Sequence, residues 1–150
     1  MNLKLKGINP FYMARNYLTK LRLNTQHYVI QDTLGFLLHP SIELPEFHMR
    51  VADVACGTGS WLMELAKSCD PTCQFDGFDI VSVKFPDDSL LPKNVNLWEH
   101  NALKPFPARF RGKFDVVNLR LLVLALEKQD WEILTRNVRA LLSMTSKLHV

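Results

Sequence analysis

Residues Val51 to Trp61 read VADVACGTGSW. A short apolar run ends in an acid and passes into a small-residue turn with two glycines spaced G-x-G. This is the sequence form of a buried strand entering a helix through a ligand-binding turn. Glycine at such a turn lets the backbone fold tightly and come close to a ligand. Two patterns compete for it. A dinucleotide fingerprint, G-x-G-x-x-G/A, would use Gly57 and Gly59, but its third small position falls on Leu62, which is too large. The alternative is D-x-A-x-G-x-G, with Asp53 at the strand end and Ala55 at the first small position. A carboxylate there repels phosphate and attracts an ammonium, so a ligand carrying an amine suits the turn better than a pyrophosphate.

Working outward, Arg50 to Val54 is the first strand and the helix after the turn begins near Ser60. Gln74 to Ile80, Val95 to Trp98 and Phe114 to Leu119 read as three more strands. Asp130 is the expected N-cap of a last helix, with Trp131, Leu134, Val138, Leu141 and Leu142 on one face. Toward the N-terminus, Tyr12 to Leu21 reads as a short separate helix. A second helix follows from Asn24, with Ile30, Leu34, Leu37 and Leu38 at helical spacing, and Ser41 to Met49 reads as a linker. Strands alternating with helices predict an α/β fold, a doubly wound and mostly parallel Rossmann-like sheet. Its ligand site should lie beyond the carboxyl ends of the strands. The expected division is an N-terminal helical cap and linker over residues 1–49 and a ligand-binding domain over 50–150.

Composition narrows the class. The chain has 150 residues, 47% hydrophobic and 22% charged, with a net charge of +3. That balance belongs to a globular domain rather than a disordered segment. The basic residues are scattered, so no nucleic-acid partner is expected. No run is apolar and long enough to suggest a membrane span or a signal peptide. Three cysteines, Cys56, Cys69 and Cys73, form neither a zinc pattern nor a disulfide framework, and the five histidines do not cluster with carboxylates; no metal site is expected. A cytoplasmic location follows from these readings.

With those residues in hand, the chain resembles class I S-adenosylmethionine-dependent methyltransferases. VADVACGTGSWL is similar to their motif I. Asp79, in FDGFDIV, stands where an acid accepts hydrogen bonds from ribose hydroxyls. WEHNAL places Asn101 and the Ala102 backbone N–H at the adenine side. FDVVNLR places Asn118 at the end of the fourth strand, beside the methionine part of the cofactor. The stretches RLNTQHYVIQDTLGFLLHPSI, LPKNV and NLRLLVLALEKQDW are similar to methyltransferases of fungal secondary metabolism, so the resemblance covers about Tyr12 to Leu142.

The resemblance implies S-adenosyl-L-methionine as cofactor, held by Asp53, Ala55, Gly57, Gly59, Asp79, Asn101, Ala102 and Asn118. It implies methyl transfer to an oxygen or nitrogen of a small natural product. His27, on the N-terminal helix that can cover the cofactor in such enzymes, is a candidate general base. The plainer alternative for Asn118 and Arg120 is a solvated strand end, and Lys84 reads as part of a solvated loop.

Members of that family continue past the last helix with a glycine-rich turn, a fifth strand and an antiparallel hairpin. Here the chain reads LLSMTSKLHV, in which Lys147 to Val150 is at most a short fifth strand. A truncated carboxyl half, low stability and a homo-oligomer formed through an exposed sheet edge are therefore expected. The competing functional reading is a non-catalytic methyltransferase-like protein that binds cofactor or a partner.

Overall fold

The computed structural model describes residues 10–42, 46–122 and 125–149, with side chains described over 16–42, 46–122 and 125–143. Five strands form one parallel sheet: β1 (Arg50–Val54), β2 (Gln74–Asp79), β3 (Val95–Glu99), β4 (Phe114–Leu119) and β5 (Leu142–His149), in the order β3-β2-β1-β4-β5. Among the described residues three α-helices accompany it, α1 (Pro10–Leu34), α2 (Ser60–Ser68) and α3 (Asp130–Arg139). The chain winds outward from β1 through β2 to β3, then returns to the other side of β1 for β4 and β5. That reversal between β1 and β4 is where a doubly wound sheet opens a crevice at its carboxyl edge.

Both faces of the sheet are covered, which is why its strands are nearly continuous in apolar residues. On one face Val51, Phe75, Val95 and Val116 pack with Trp61, Leu62 and Leu65 of α2. On the other, Ala52, Val54, Phe78, Val117 and Leu119 pack with Leu134 and Val138 of α3 and with Phe106, Phe110 and Phe114. Side chains alternate across a strand, so the strand register decides which polar groups share a face. Asp53 is in register with Gly77 on β2 and with Asn118 on β4. Gly77 is required by close approach: a Cβ there would come within 2.5 Å of a Leu97 methyl and 2.9 Å of both Cys56 Sγ and Leu62.

The structure revises three expectations. The N-terminal region is one helix of 25 residues rather than two, continuous through Arg22 and Leu23. Asp130 is the first residue of α3, not its cap; Gln129 holds the cap position, and Asp130 Oδ2 accepts the Glu127 N–H at 3.0 Å. Leu141 and Leu142 do not extend that helix. Leu141 is buried in the turn and Leu142 opens β5, which is longer than the Lys147 to Val150 segment foreseen. Val150 and residues 43–45 of the foreseen linker lie outside the described residues. Among the described residues no helix is long and apolar enough to cross a membrane, and no group of three or more His, Cys, Asp or Glu could hold a metal ion.

Candidate functional site

The turn from β1 to α2 carries its strain in the backbone. Ala55, Gly57 and Gly59 all have positive φ, at 62°, 60° and 76°. For the two glycines this costs little; for Ala55 it is a sparsely populated conformation of the kind that gathers at binding sites. The turn is closed by Cys56 N–H donating to the Phe78 carbonyl at 3.0 Å and Gly59 N–H donating to the Cys56 carbonyl at 2.9 Å. Asp79, at the end of β2, faces it: its Oδ2 accepts the Gly57 N–H at 2.8 Å, and its Oδ1 accepts the Val81 N–H at 3.0 Å and Lys84 Nζ at 3.1 Å. Asp53, on β1, is buried beside it, and its Oδ1 accepts Asn118 Nδ2 at 2.7 Å across the β1–β4 register.

Helix α1 closes the crevice from above. Asn24 Oδ1 accepts the hydroxyls of Thr58 at 2.6 Å and Ser60 at 2.9 Å, tying the helix to the glycine turn. Trp61 Nε1 donates to the Leu37 carbonyl at 2.9 Å and fixes the segment after the helix. Between them lies a half-open cavity of about 530 Å³, lined by Arg22, Leu23, Gln26 and His27 of α1, by Asp53, Ala55, Cys56, Gly57, Thr58, Ser60, Trp61, Asp79 and Lys84, and by Arg120, Leu121, Leu122 and Ala125 after β4. The volume lies within the range of small-molecule sites. A second depression, about 660 Å³, lies along α3 and is formed by Trp131, Glu132, Thr135, Arg136, Arg139 and Ala140, away from the strand ends.

The electrostatics inside the cavity are set by burial. Desolvation pushes the Asp53 carboxyl up to about 7, with the Arg120 guanidinium and the Asn118 amide opposing and the Asp79 charge adding to the rise. Burial also raises the Cys56 thiol well above its ordinary range, reinforced by Asp53 and Asp79. His27 is lowered by burial first and by Arg120 second, with Glu64 opposing.

Because an unfolded aspartate ionises near 3.8, the folded chain keeps a proton on Asp53 that the unfolded chain has already released. The stability this group contributes is complete below about pH 4 and is lost as pH rises toward about 7. Asp53→Asn, which retains an oxygen for Asn118, is expected to flatten the fall in Tm across that window. Thermal melts of both proteins at about pH 4.5 and about pH 7.5 check this; equal slopes would refute it.

Of the residues singled out in the sequence, Asp53, Ala55, Gly57, Asp79 and His27 line the cavity, while Asn118 stands behind Asp53 and Gly59 closes the turn. Asn101 and Ala102 are not among the lining residues. Asn101 Oδ1 caps its own turn by accepting the Leu103 N–H at 2.9 Å, and the Ala102 carbonyl accepts Asn137 Nδ2 at 2.9 Å. Arg120 and Lys84 depart from the solvated roles foreseen for them. Lys84 pairs with Asp79, and the Arg120 guanidinium sits 5.6 Å from the centre of the Trp61 ring and 3.4 Å from His27 Nδ1. Asn24 and Trp61 were not foreseen in the site. The available signals were position alone: Arg120 directly follows β4, and Lys84 lies one loop beyond Asp79.

Comparison with known proteins bears on the fold. No protein-family model matches the chain. Methyltransferase grgD of Penicillium sp is 36% identical over 140 residues, covering 88% of this chain and 48% of that protein. N-methyltransferase verN of Clonostachys rogersoniana is 30% identical over 117 residues, covering 77% of this chain and 41% of that protein. The chain thus spans less than half the length of these curated relatives. Among solved structures, the S-adenosylhomocysteine-bound form of CalO1, a methyltransferase in calicheamicin biosynthesis, superposes with a TM-score of 0.57 at 21% identity, over 72% of this chain and 31% of that one. The chain has the Rossmann-like fold of class I S-adenosylmethionine-dependent methyltransferases and resembles the fungal methyltransferases of secondary metabolism.

Proposed function

We propose that the cavity between α1 and the carboxyl ends of β1, β2 and β4 holds S-adenosyl-L-methionine, and that the chain serves methyl transfer to an oxygen or nitrogen of a small natural product. The observation that carries this reading is the convergence of Asp53 and Asp79, acids at the ends of adjacent strands, on one strained glycine turn. In this reading Asp79 receives the ribose hydroxyls. A carboxylate has about four lone-pair sites, and three donors already use Asp79, so the Lys84 head group gives way to the sugar. Asp53, held by Asn118, faces the cofactor's ammonium, which favours the ionised carboxylate against the cost of burial. Ala55, Gly57 and Gly59 let the backbone approach the ligand. Asn101 and Ala102 take the adenine side, Asn101 exchanging its turn contact for the base.

The cofactor supplies a methyl group already activated on a sulfonium. The protein's part is therefore position and electrostatics rather than a constellation of acids and bases. Holding donor and acceptor in line is worth ~7–11 kcal/mol of barrier. Residues 1–49 act as the cap that keeps water from the site, and α1 is the part of it that lines the cavity. The acceptor is a small molecule, and the sheet's outer strands, β3 and β5 among the described residues, are where a second copy would pair.

The competing reading is a non-catalytic cofactor- or partner-binding protein. Incubation with methyl-labelled cofactor and a panel of small amines and alcohols separates the two. Label in a product supports methyl transfer; bound cofactor with no product across the panel supports the binding role.

A further inference from the structure

Helix α1 is apolar on two sides. Its inner side meets the sheet: His27 is buried, Asn24 Oδ1 holds the Thr58 and Ser60 hydroxyls, and Lys20 Nζ donates to the Phe85 carbonyl at 3.1 Å. Its outer side carries two patches. Tyr17, Leu18 and Leu21 form the first, and Tyr28 and Val29 the second, each residue between 51% and 67% exposed. At 3.6 residues per turn all five fall within about 120° of arc, on one face of the helix. Arg22 and Thr25 lie exposed on the turn between the patches, and Asp32 lies exposed one turn beyond the second. A helix face that needs no partner is polar. A set of large apolar side chains left together in water marks an interaction surface.

We propose that this outer face of α1 pairs with the same face of a second copy of the chain, the two helices antiparallel about a two-fold axis at Thr25. The charge pattern selects this occupant. On the described part of the face the cation, Arg22, borders the first patch and the anion, Asp32, follows the second. Antiparallel pairing lays the first patch of one copy on the second patch of the other. Leu21 then meets Val29, and Arg22 meets the Tyr28 ring and reaches Asp32 one turn further on. Each contact forms twice, as a two-fold interface requires, and a guanidinium over a tyrosine ring is itself attractive. Parallel pairing would set Arg22 on Arg22 and Asp32 on Asp32, and like charges brought together cost free energy. Thr25 is small enough to let the helices approach at the axis. Arg22 donates to Gln26 Oε1 at 3.4 Å, a surface contact weak enough to exchange. The apolar side chains of both copies together cover on the order of 1,000 Å², the area at which specific interfaces begin. The pairing uses neither outer strand of the sheet, β3 or β5, and does not depend on what the cavity holds.

Sedimentation equilibrium of the full chain is expected to show monomer and dimer in exchange. Leu21→Glu, at an exposed position, weakens the dimer roughly tenfold or more. Matching circular dichroism of this variant and the wild type at high dilution shows that it folds. Arg22→Glu weakens the dimer roughly fivefold, and adding Asp32→Arg to it restores the wild-type constant, because the reversed pair attracts again; failure of that rescue overturns the pairing. Thiol cross-linking fixes the direction. A short cross-linker joins two copies of Thr25→Cys beyond the level set by Cys56, Cys69 and Cys73 in the wild type. It does not join two copies of Leu18→Cys, which antiparallel helices hold about 20 Å apart at a rise of 1.5 Å per residue. Joining through residue 18 and not through residue 25 overturns the antiparallel arrangement. A chain that stays monomeric at every concentration overturns the inference, and so does a dimer indifferent to Leu21→Glu, which places the contact at a sheet edge. A monomer that binds vesicles of phosphatidylcholine and phosphatidylserine, with binding lost in Leu21→Glu, gives the face to a membrane surface and likewise overturns it.

Discussion

Phe78→Ala is expected to cost about 3–5 kcal/mol of folding stability, the usual range for removing a buried phenylalanine. Phe78 is 1% exposed, one residue before the end of β2. Its ring meets those of Phe106 at 5.1 Å, Phe110 at 4.9 Å and Phe114 at 6.3 Å, all edge to face. Such pairs add to the area they bury, and a close-packed interior does not collapse to fill the hole. The same residue positions the site, since its carbonyl accepts the Cys56 N–H that closes the glycine turn. Denaturant titration of the variant measures the effect through the transition midpoint. A loss under about 1 kcal/mol would show that the aromatic cluster is not packed as described.

Asp79→Ala carries the largest expected effect on ligand binding. Loss of hydrogen bonds to a buried carboxylate is worth ~1–3 kcal/mol, roughly a five- to 150-fold fall in affinity for S-adenosylhomocysteine. The alanine also strands the Gly57 and Val81 N–H groups and the Lys84 ammonium, all of which Asp79 now satisfies, so stability falls as well. Asp79→Asn separates the two effects because it keeps one acceptor for the turn. Weakened binding with a near-normal melting temperature assigns Asp79 to the ligand. Unchanged affinity in both variants would confine it to holding the turn.

The first four strands were legible because each is a short, largely apolar run with an acid or an amide at or beside its end. β1 and β4 have the bounds their sequences predict, and β2 and β3 differ by one residue at their ends. Asp53 and Asp79 were legible for the same reason: a strand end fixes where its last side chain points. The continuity of α1 was not legible. Its apolar residues are spread around the helix, and Tyr17, Leu18, Leu21, Tyr28 and Val29 are all exposed, so no single stripe joins its two halves. β5 was shortened in the reading because Leu141 and Leu142 continue the helical spacing of α3, while the chain turns at Leu141 to reach the edge of β4. Arg120 and Asn24 acquire their roles only from partners distant in sequence: Arg120 meets His27 across 93 positions and Asn24 meets Thr58 across 34. Composition treats such residues as solvated, and only the folded sheet brings them together. Asn101 illustrates the reverse case, an amide whose local turn chemistry accounts for its contacts in the structure.

The central claim is that the glycine turn with Asp53 and Asp79 is built for a sulfonium nucleoside and not for a dinucleotide. Calorimetric titration of the purified chain with S-adenosylmethionine, S-adenosylhomocysteine and NAD tests it most directly. The account predicts saturable one-to-one binding of the first two, weakened by Asp79→Ala, and no measurable heat with NAD. Binding of NAD without binding of either sulfur nucleoside would contradict it.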